Sequence, residues 1–448
     1  MSVVFRQIRA RNFRGFADTG PLDLGEINVF LGPNSAGKST ILYTPLLLKQ
    51  TFEDLNPENQ LLTDGRVLEL GSFGDVVFSH DTKRSLSIDV TLDENIMHGL
   101  PSFVTRRRDQ RPEDIIPNRL SLDFSTTPRT NRIYLKAFSF YRGQNELILS
   151  GSSSSLGELR QWETPLGNGK RGFSIRFDHF LPSIFINPRA RHRPIPPPIM
   201  TLFEGFYGLR EACERIFTSM IHLEPIRTPI RQVYRVTGES PTSVGPTGEN
   251  LLGVLYRDEK RRKVTRRNLL KQLNYWLDEK FGLVKDVDLE PLTKAKSLYA
   301  LTGKDTKTKA SVNLSAAGFG VSQVAPIVVQ GFLSRPSACL LIEQPEIHLH
   351  PSAQADLGDL FIEFADQGKQ LFVETHSQYI LLRLLRRVAE KKLDSSRLRV
   401  FFVSRGESGS RAEPLILDDQ GTIANWPPGF FEEAYRETSA TAGALVHA

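Results

Sequence analysis

Cysteine is nearly missing from this chain: Cys213 and Cys339 are the only two in 448 residues. Two thiols exclude a disulfide framework and a cysteine-based zinc site. They read as reduced core thiols of a cytoplasmic protein. No apolar run approaches the ~18 residues that signal a membrane helix. Met1 to Asn12 mixes polar and apolar residues, so a signal peptide is not expected. No heptad pattern is sustained, which argues against long coiled-coil arms. An excess of either charge sign is also lacking, with 57 Lys and Arg against 51 Asp and Glu. The net of +6 permits nucleic-acid contact without demanding it. What is left is a globular composition, 40% hydrophobic and 24% charged, long enough for two or three domain-sized units.

The most specific stretch is Gly32-Pro33-Asn34-Ser35-Ala36-Gly37-Lys38-Ser39-Thr40. It fits G-x-x-x-x-G-K-[ST], the phosphate-binding P-loop. An apolar, strand-like Ile27–Leu31 precedes it and a helical Thr40–Leu48 follows, as the motif requires. Gly32 and Gly37 let backbone N–H groups turn around an anion. The helix N-terminus adds partial positive charge. Lys38 is placed for the β- and γ-phosphates of ATP and Ser39 for Mg²⁺.

Three regions are expected. Residues 1–198 read as a P-loop lobe with an antiparallel β subdomain, because period-two alternation runs through Leu86–Leu92, Leu120–Phe124 and Phe173–Phe177. Gly71–Val77 reads as a loop, and Pro194–Pro198 as a boundary that is neither helix nor central strand. Residues 199–310 read as a helical insertion, with apolar steps of three and four from Leu202 to Met220 and again from Leu269 to Phe281. Residues 311–448 return to parallel-sheet grammar: Ala338–Ile342, Leu371–Val373 and Arg399–Val403 are continuous apolar strands. A short helix is expected near Trp426–Phe431.

Further motifs accompany the P-loop. Ala338–Ile342 ends in Glu343-Gln344-Pro345-Glu346. A carboxylate at such a strand end holds Mg²⁺ opposite the P-loop hydroxyl, which places Glu343. Gln344 stands where a carboxylate usually handles the attacking water, and an amide can orient water but not take its proton. Glu346 is the substitute at hand. His376, just past Leu371–Val373, is a candidate γ-phosphate contact. Asn313–Gln323 is a small-residue loop expected to lead into a helix near Val324, an anion site by its free amides. His348 and His350 lack further ligands at supporting spacing, so no metal site is expected there.

This order of motifs resembles the ABC-class ATPase heads of the SMC, RecF and OLD branch, and within it the stand-alone prokaryotic defence ATPases of the Septu type. Asn12-Phe13-Arg14, His222-Leu223-Glu224-Pro225-Ile226-Arg227 and the Trp-Pro-Pro-Gly-Phe-Phe tail fit the same branch. The resemblance implies an α/β head with a helical signature subdomain, Arg14 at the nucleotide, and two heads facing head-to-tail around two ATPs. A signature loop would then cover the partner's ATP. Leu314–Ala317 and Gly318–Gln323 compete for that role. The second is preferred, giving Gly318, Gly320, Ser322 and Gln323. A slow ATPase follows from Gln344, and no nuclease follows from the short segment after His376, which lacks Asp-x-Asp. The implied biology is phage defence with a separately encoded effector, a nuclease for choice. The alternatives are a RecF-like repair ATPase and an ATP-locked scaffold that sequesters a toxic partner.

Arg106-Arg107-Arg108 and Arg261-Arg262-Lys263 are the candidate DNA contacts, with Arg189–Arg193 as a further basic run. Asp109, Asp258 and Glu259 balance them, so solvated loops explain them as well. Arg227 and Arg231 are candidates for subunit contact.

Overall fold

A computed structural model describes residues 3–96, 115–127, 130–143, 145–155, 158–163, 173–186, 197–236, 241–265 and 268–427. Its centre is a six-stranded sheet in the order Met220–Leu223, Cys339–Glu343, Gln370–Glu374, Ile27–Leu31, Leu398–Gly406, Gly409–Leu415. Neighbours pair in parallel except the last, which folds back antiparallel. Both faces are covered, which is why the central strands are apolar throughout. Phe30 stacks between Phe372 and Phe401 on one face, at 6.1 and 5.2 Å. Ile27, Val29 and Leu31 point to the other, where helices Phe319–Leu333, Pro351–Asp366 and Gln378–Ala389 pack.

A second, antiparallel sheet contains Phe5–Phe13, Phe16–Asp18, Leu86–Leu92, Arg119–Thr126, Ile133–Arg142, Glu146–Ser155 and Glu158–Glu163. Phe173–Asp178 belongs instead to a separate hairpin with Leu181–Ile186. Gln370 joins the two large sheets. Its side-chain oxygen accepts from the amides of Val4 and Phe5, and its amide group donates to the carbonyls of Phe5 and Gly25. All four capacities of a fully buried amide are therefore met, as burial demands.

The α/β P-loop architecture with an antiparallel subdomain is the expected one, and no long coiled coil occurs among the described residues. Local readings shift. Pro197 and Pro198 open helix Pro197–Ser219 rather than standing outside it. The first turn of a helix needs no N–H there and tolerates proline. Gly71–Val77 contains a short helix, Phe73–Val76, closed by a reciprocal Ser72–Asp75 capping box. Residues 199–310 carry, besides helices Leu251–Thr265 and Leu269–Tyr275, the strands Val284–Pro291 and Leu298–Asp305. The helix awaited near Val324 begins at Phe319. Phe431 and the end of the tail lie outside the described residues.

Candidate functional site

The P-loop follows the fourth strand of the central sheet, Ile27–Leu31, at its carboxyl end, where open α/β sheets bind ligands. Gly32 has φ +142°, and a Cβ there would lie 1.9 Å from the Val403 carbonyl oxygen, so only glycine fits. Gly37, at φ +108°, caps helix Lys38–Phe52. Around this helix start lies a cavity of about 600 Å³. Of the residues proposed for nucleotide, Arg14, Ser35, Gly37, Lys38, Ser39 and Thr40 line it. Pro33, Asn34 and Ala36 complete the loop behind them. Lys38 Nζ donates to the carbonyls of Gly32 and Pro33, at 3.1 and 2.9 Å, clamping the loop from within. Burial holds its pKa below the usual lysine value, opposed by Glu374 and Glu346.

Glu343 and Glu374 end neighbouring parallel strands in matched register. Both are about 4% exposed. They differ in their partners. Glu343 Oε1 lies 2.6 Å from His222 Nε2, and Arg227 donates to the Glu343 carbonyl at 2.9 Å. Glu374 faces the cavity, receives a hydrogen bond from the Ser39 hydroxyl, and keeps Oε2 without a partner. Burial, then the adjacent Glu343, pushes the Glu374 carboxyl up to about 7, against the pull of Ser39 and Lys38. Tyr43, one turn after Ser39, is pushed up to about 12 by burial and these carboxylates. Its ring lies between the Arg14 guanidinium, 5.7 Å away, and His222, 6.4 Å away.

Gln344 turns the chain after its strand with φ +43°, and its N–H donates to the Glu374 carbonyl at 2.7 Å. Glu346 Oε1 accepts the His376 N–H at 2.7 Å, so the two loops are bound to each other. Burial raises the Glu346 pKa, offset by that bond and by Thr375. His376 is lowered by burial and then by Lys38, which favours neutral imidazole at neutral pH.

Residues 258–381 match the family model described as an AAA ATPase domain. That span holds the small-residue loop Asn313–Gln323, the Glu343 strand and His376, and the P-loop lies outside it. Residues 393–440 match a second family, described as a protein of unknown function (DUF3696). No curated protein matches the chain. Among solved structures, the chain is similar to an SMC head bound to the C-winged helix domain of ScpA. That pair shares 11% identity and a TM-score of 0.48, covering 93% of this chain and 98% of the other. The SMC head domain from Thermotoga maritima gives 9%, 0.39, 93% and 100%. An SMC head with an extended coiled coil, bound to the C-terminal domain of ScpA derived from Pyrococcus furiosus, gives 10%, 0.43, 98% and 99%.

Within the matched ATPase span the signature residues part company. Gly318 caps helix Phe319–Leu333 with φ +86° and is exposed, with Phe319 beside it 62% exposed. Gly320 sits in the first turn, against the His348 carbonyl. Ser322 and Gln323 are buried. Ser322 Oγ accepts from Ile230 N, and Gln323 donates to the Arg227 carbonyl. Because the helix starts five residues early, these two side chains turn inward. None of the signature residues lines the P-loop cavity. Arg227 is corrected likewise. It is 1% exposed beneath Glu343, which removes it from any subunit surface. His350 caps helix Pro351–Asp366 and His348 stacks on Phe319 at 5.5 Å. Arg106, Arg107 and Arg108 lie outside the described residues, as does Arg189–Arg193. Arg261, Arg262 and Lys263 fall on helix Leu251–Thr265, with Arg261 exposed.

Sequence reasoning missed Glu374, Tyr43, Asp75, His80, Arg405 and Ser410, all lining the cavity. Glu374 had a signal: like Glu343, it closes an apolar strand. Asp75 and His80 had none, since a distant turn brings them in.

Proposed function

We propose that this chain binds Mg-ATP at the P-loop cavity and hydrolyses it slowly. The observation that carries the reading is the juxtaposition of the Lys38–Ser39 helix start with the strand-end carboxylate Glu374 around one cavity, with Glu343 in matched register on the neighbouring strand. Backbone amides and Lys38 hold the phosphates. The donors facing the cavity beside the helix start are hard oxygens, from Ser39 and Glu374, and these suit Mg²⁺. When bound, Mg²⁺ neutralises phosphate charge during transfer. Gln344 orients water without accepting its proton. His376, held neutral and fixed through the Glu346 bond to its backbone, supplies a hydrogen bond at the far phosphate.

In this reading two copies face head-to-tail, and the exposed Gly318 cap of one covers the nucleotide of the other with backbone amides. Its location away from its own P-loop cavity supports that arrangement. The setting is prokaryotic phage defence in the cytoplasm with a separately encoded effector, supported by motif order alone. Gln344 also favours a second reading, an ATP-locked scaffold holding a partner. Size measurement with ATP, and hydrolysis with and without DNA, tests both: dimerisation without turnover favours the scaffold, and DNA stimulation favours a repair role.

A further inference from the structure

Two carboxylates close adjacent strands at the P-loop, and the chain treats them differently. Glu343 is occupied: His222 takes its Oε1 at 2.6 Å, and its side chain is 5% exposed. Glu374 is as deeply buried, lines the cavity, touches Ser39, and leaves Oε2 with no partner. A buried carboxylate oxygen without a donor is expensive and calls for a missing partner. Two of the three Lys38 ammonium donors go to the Gly32 and Pro33 carbonyls, and no hydrogen bond from Lys38 reaches Oε2.

Resting on the Mg-ATP reading above, we infer that Glu374 is a direct ligand of the divalent cation, beside Ser39, while Glu343 is a positioning residue held by His222. The cation is hard and oxygen-seeking, of the Mg²⁺ or Mn²⁺ class. Among the described residues no three His, Cys, Asp or Glu side chains gather into a cage. Phosphate oxygens therefore complete the shell, which is the usual way for Mg²⁺, held by one or two carboxylates plus substrate phosphates. The arrangement places the second carboxylate on the His376 strand rather than at position 344. Gln344 is then free to be an amide without leaving the metal short of charge.

The test titrates Mn²⁺ into the full chain saturated with the slowly hydrolysed analogue ATPγS and reads bound metal by electron paramagnetic resonance. Analogue affinity in EDTA is measured in parallel. Glu374→Gln is expected to weaken Mn²⁺ about tenfold or more and to leave affinity in EDTA unchanged. Glu343→Gln weakens Mn²⁺ less. Mn²⁺ affinity of Glu374→Gln within about twofold of wild type overturns the assignment. So does a loss of affinity in EDTA shared by Glu374→Gln and Glu374→Asp, which makes the residue structural. A wild type that binds no nucleotide at all overturns the Mg-ATP reading and this one with it.

Discussion

His222 Nε2 and Glu343 Oε1 lie 2.6 Å apart, with both side chains 5% exposed. The two residues lie on paired parallel strands, two residues out of register, His222 pairing with Leu341 and Leu223 with Ile342. The edge strand thus carries the group that fixes the Glu343 carboxylate. His222→Ala leaves that carboxylate buried and unpaired. The expected cost is about 1–3 kcal/mol, read as a lower midpoint in urea unfolding, with His222→Gln recovering part of it.

Gly32 is the point where the chain leaving the P-loop strand lies tightest beside its sheet neighbour, Leu398–Gly406. Gly32→Ala forces a methyl into the Val403 carbonyl. It is expected to cost about 2 kcal/mol or more and to remove ATP-induced thermal stabilisation. Lys38→Ala is expected to remove the same stabilisation while leaving the unliganded melting temperature within about 2 °C of wild type. The two variants separate loop shape from phosphate charge.

Helices Pro351–Asp366 and Gln378–Ala389 are clamped by Asp359, which takes Arg383 at 2.5 Å and Arg387 at 2.6 Å. Burial pushes the Asp359 carboxyl up, but the two guanidinium groups outweigh it and hold the pKa below the ordinary value. A depressed carboxylate pKa contributes stability above the unfolded value near 4 and loses it as pH falls through the folded value. Asp359→Asn is expected to cost roughly 1 kcal/mol after solvent screening at pH 7, and less than that at pH 3. Denaturant melts at the two pH values check the sign.

How far the sequence reaches is clear from these residues. The P-loop and the apolar strands around it are local signals, spaced by the chain itself, and they were readable. The start of helix Phe319–Leu333 was not, because Gly318 and Gly320 suggested loop while Val321 and the residues after it are pulled into the core. Arg227 looked like a surface cation. Only the sheet order shows that its segment runs along the edge strand and beneath Glu343. Glu374 directly follows the apolar run Leu371–Val373, yet its role depends on register with Glu343, which no single strand contains.

Gln344 is the residue on which the proposed slow turnover rests. The most direct measurement is single-turnover ATP hydrolysis by wild type, Gln344→Glu and Lys38→Ala, with nucleotide binding measured alongside. The account predicts that wild type binds ATP and barely hydrolyses it, that Gln344→Glu speeds the chemical step about tenfold or more, and that Lys38→Ala defines the background. Rapid hydrolysis by wild type, unimproved by Gln344→Glu, would contradict it and would place the base elsewhere, with Glu346 the nearest substitute.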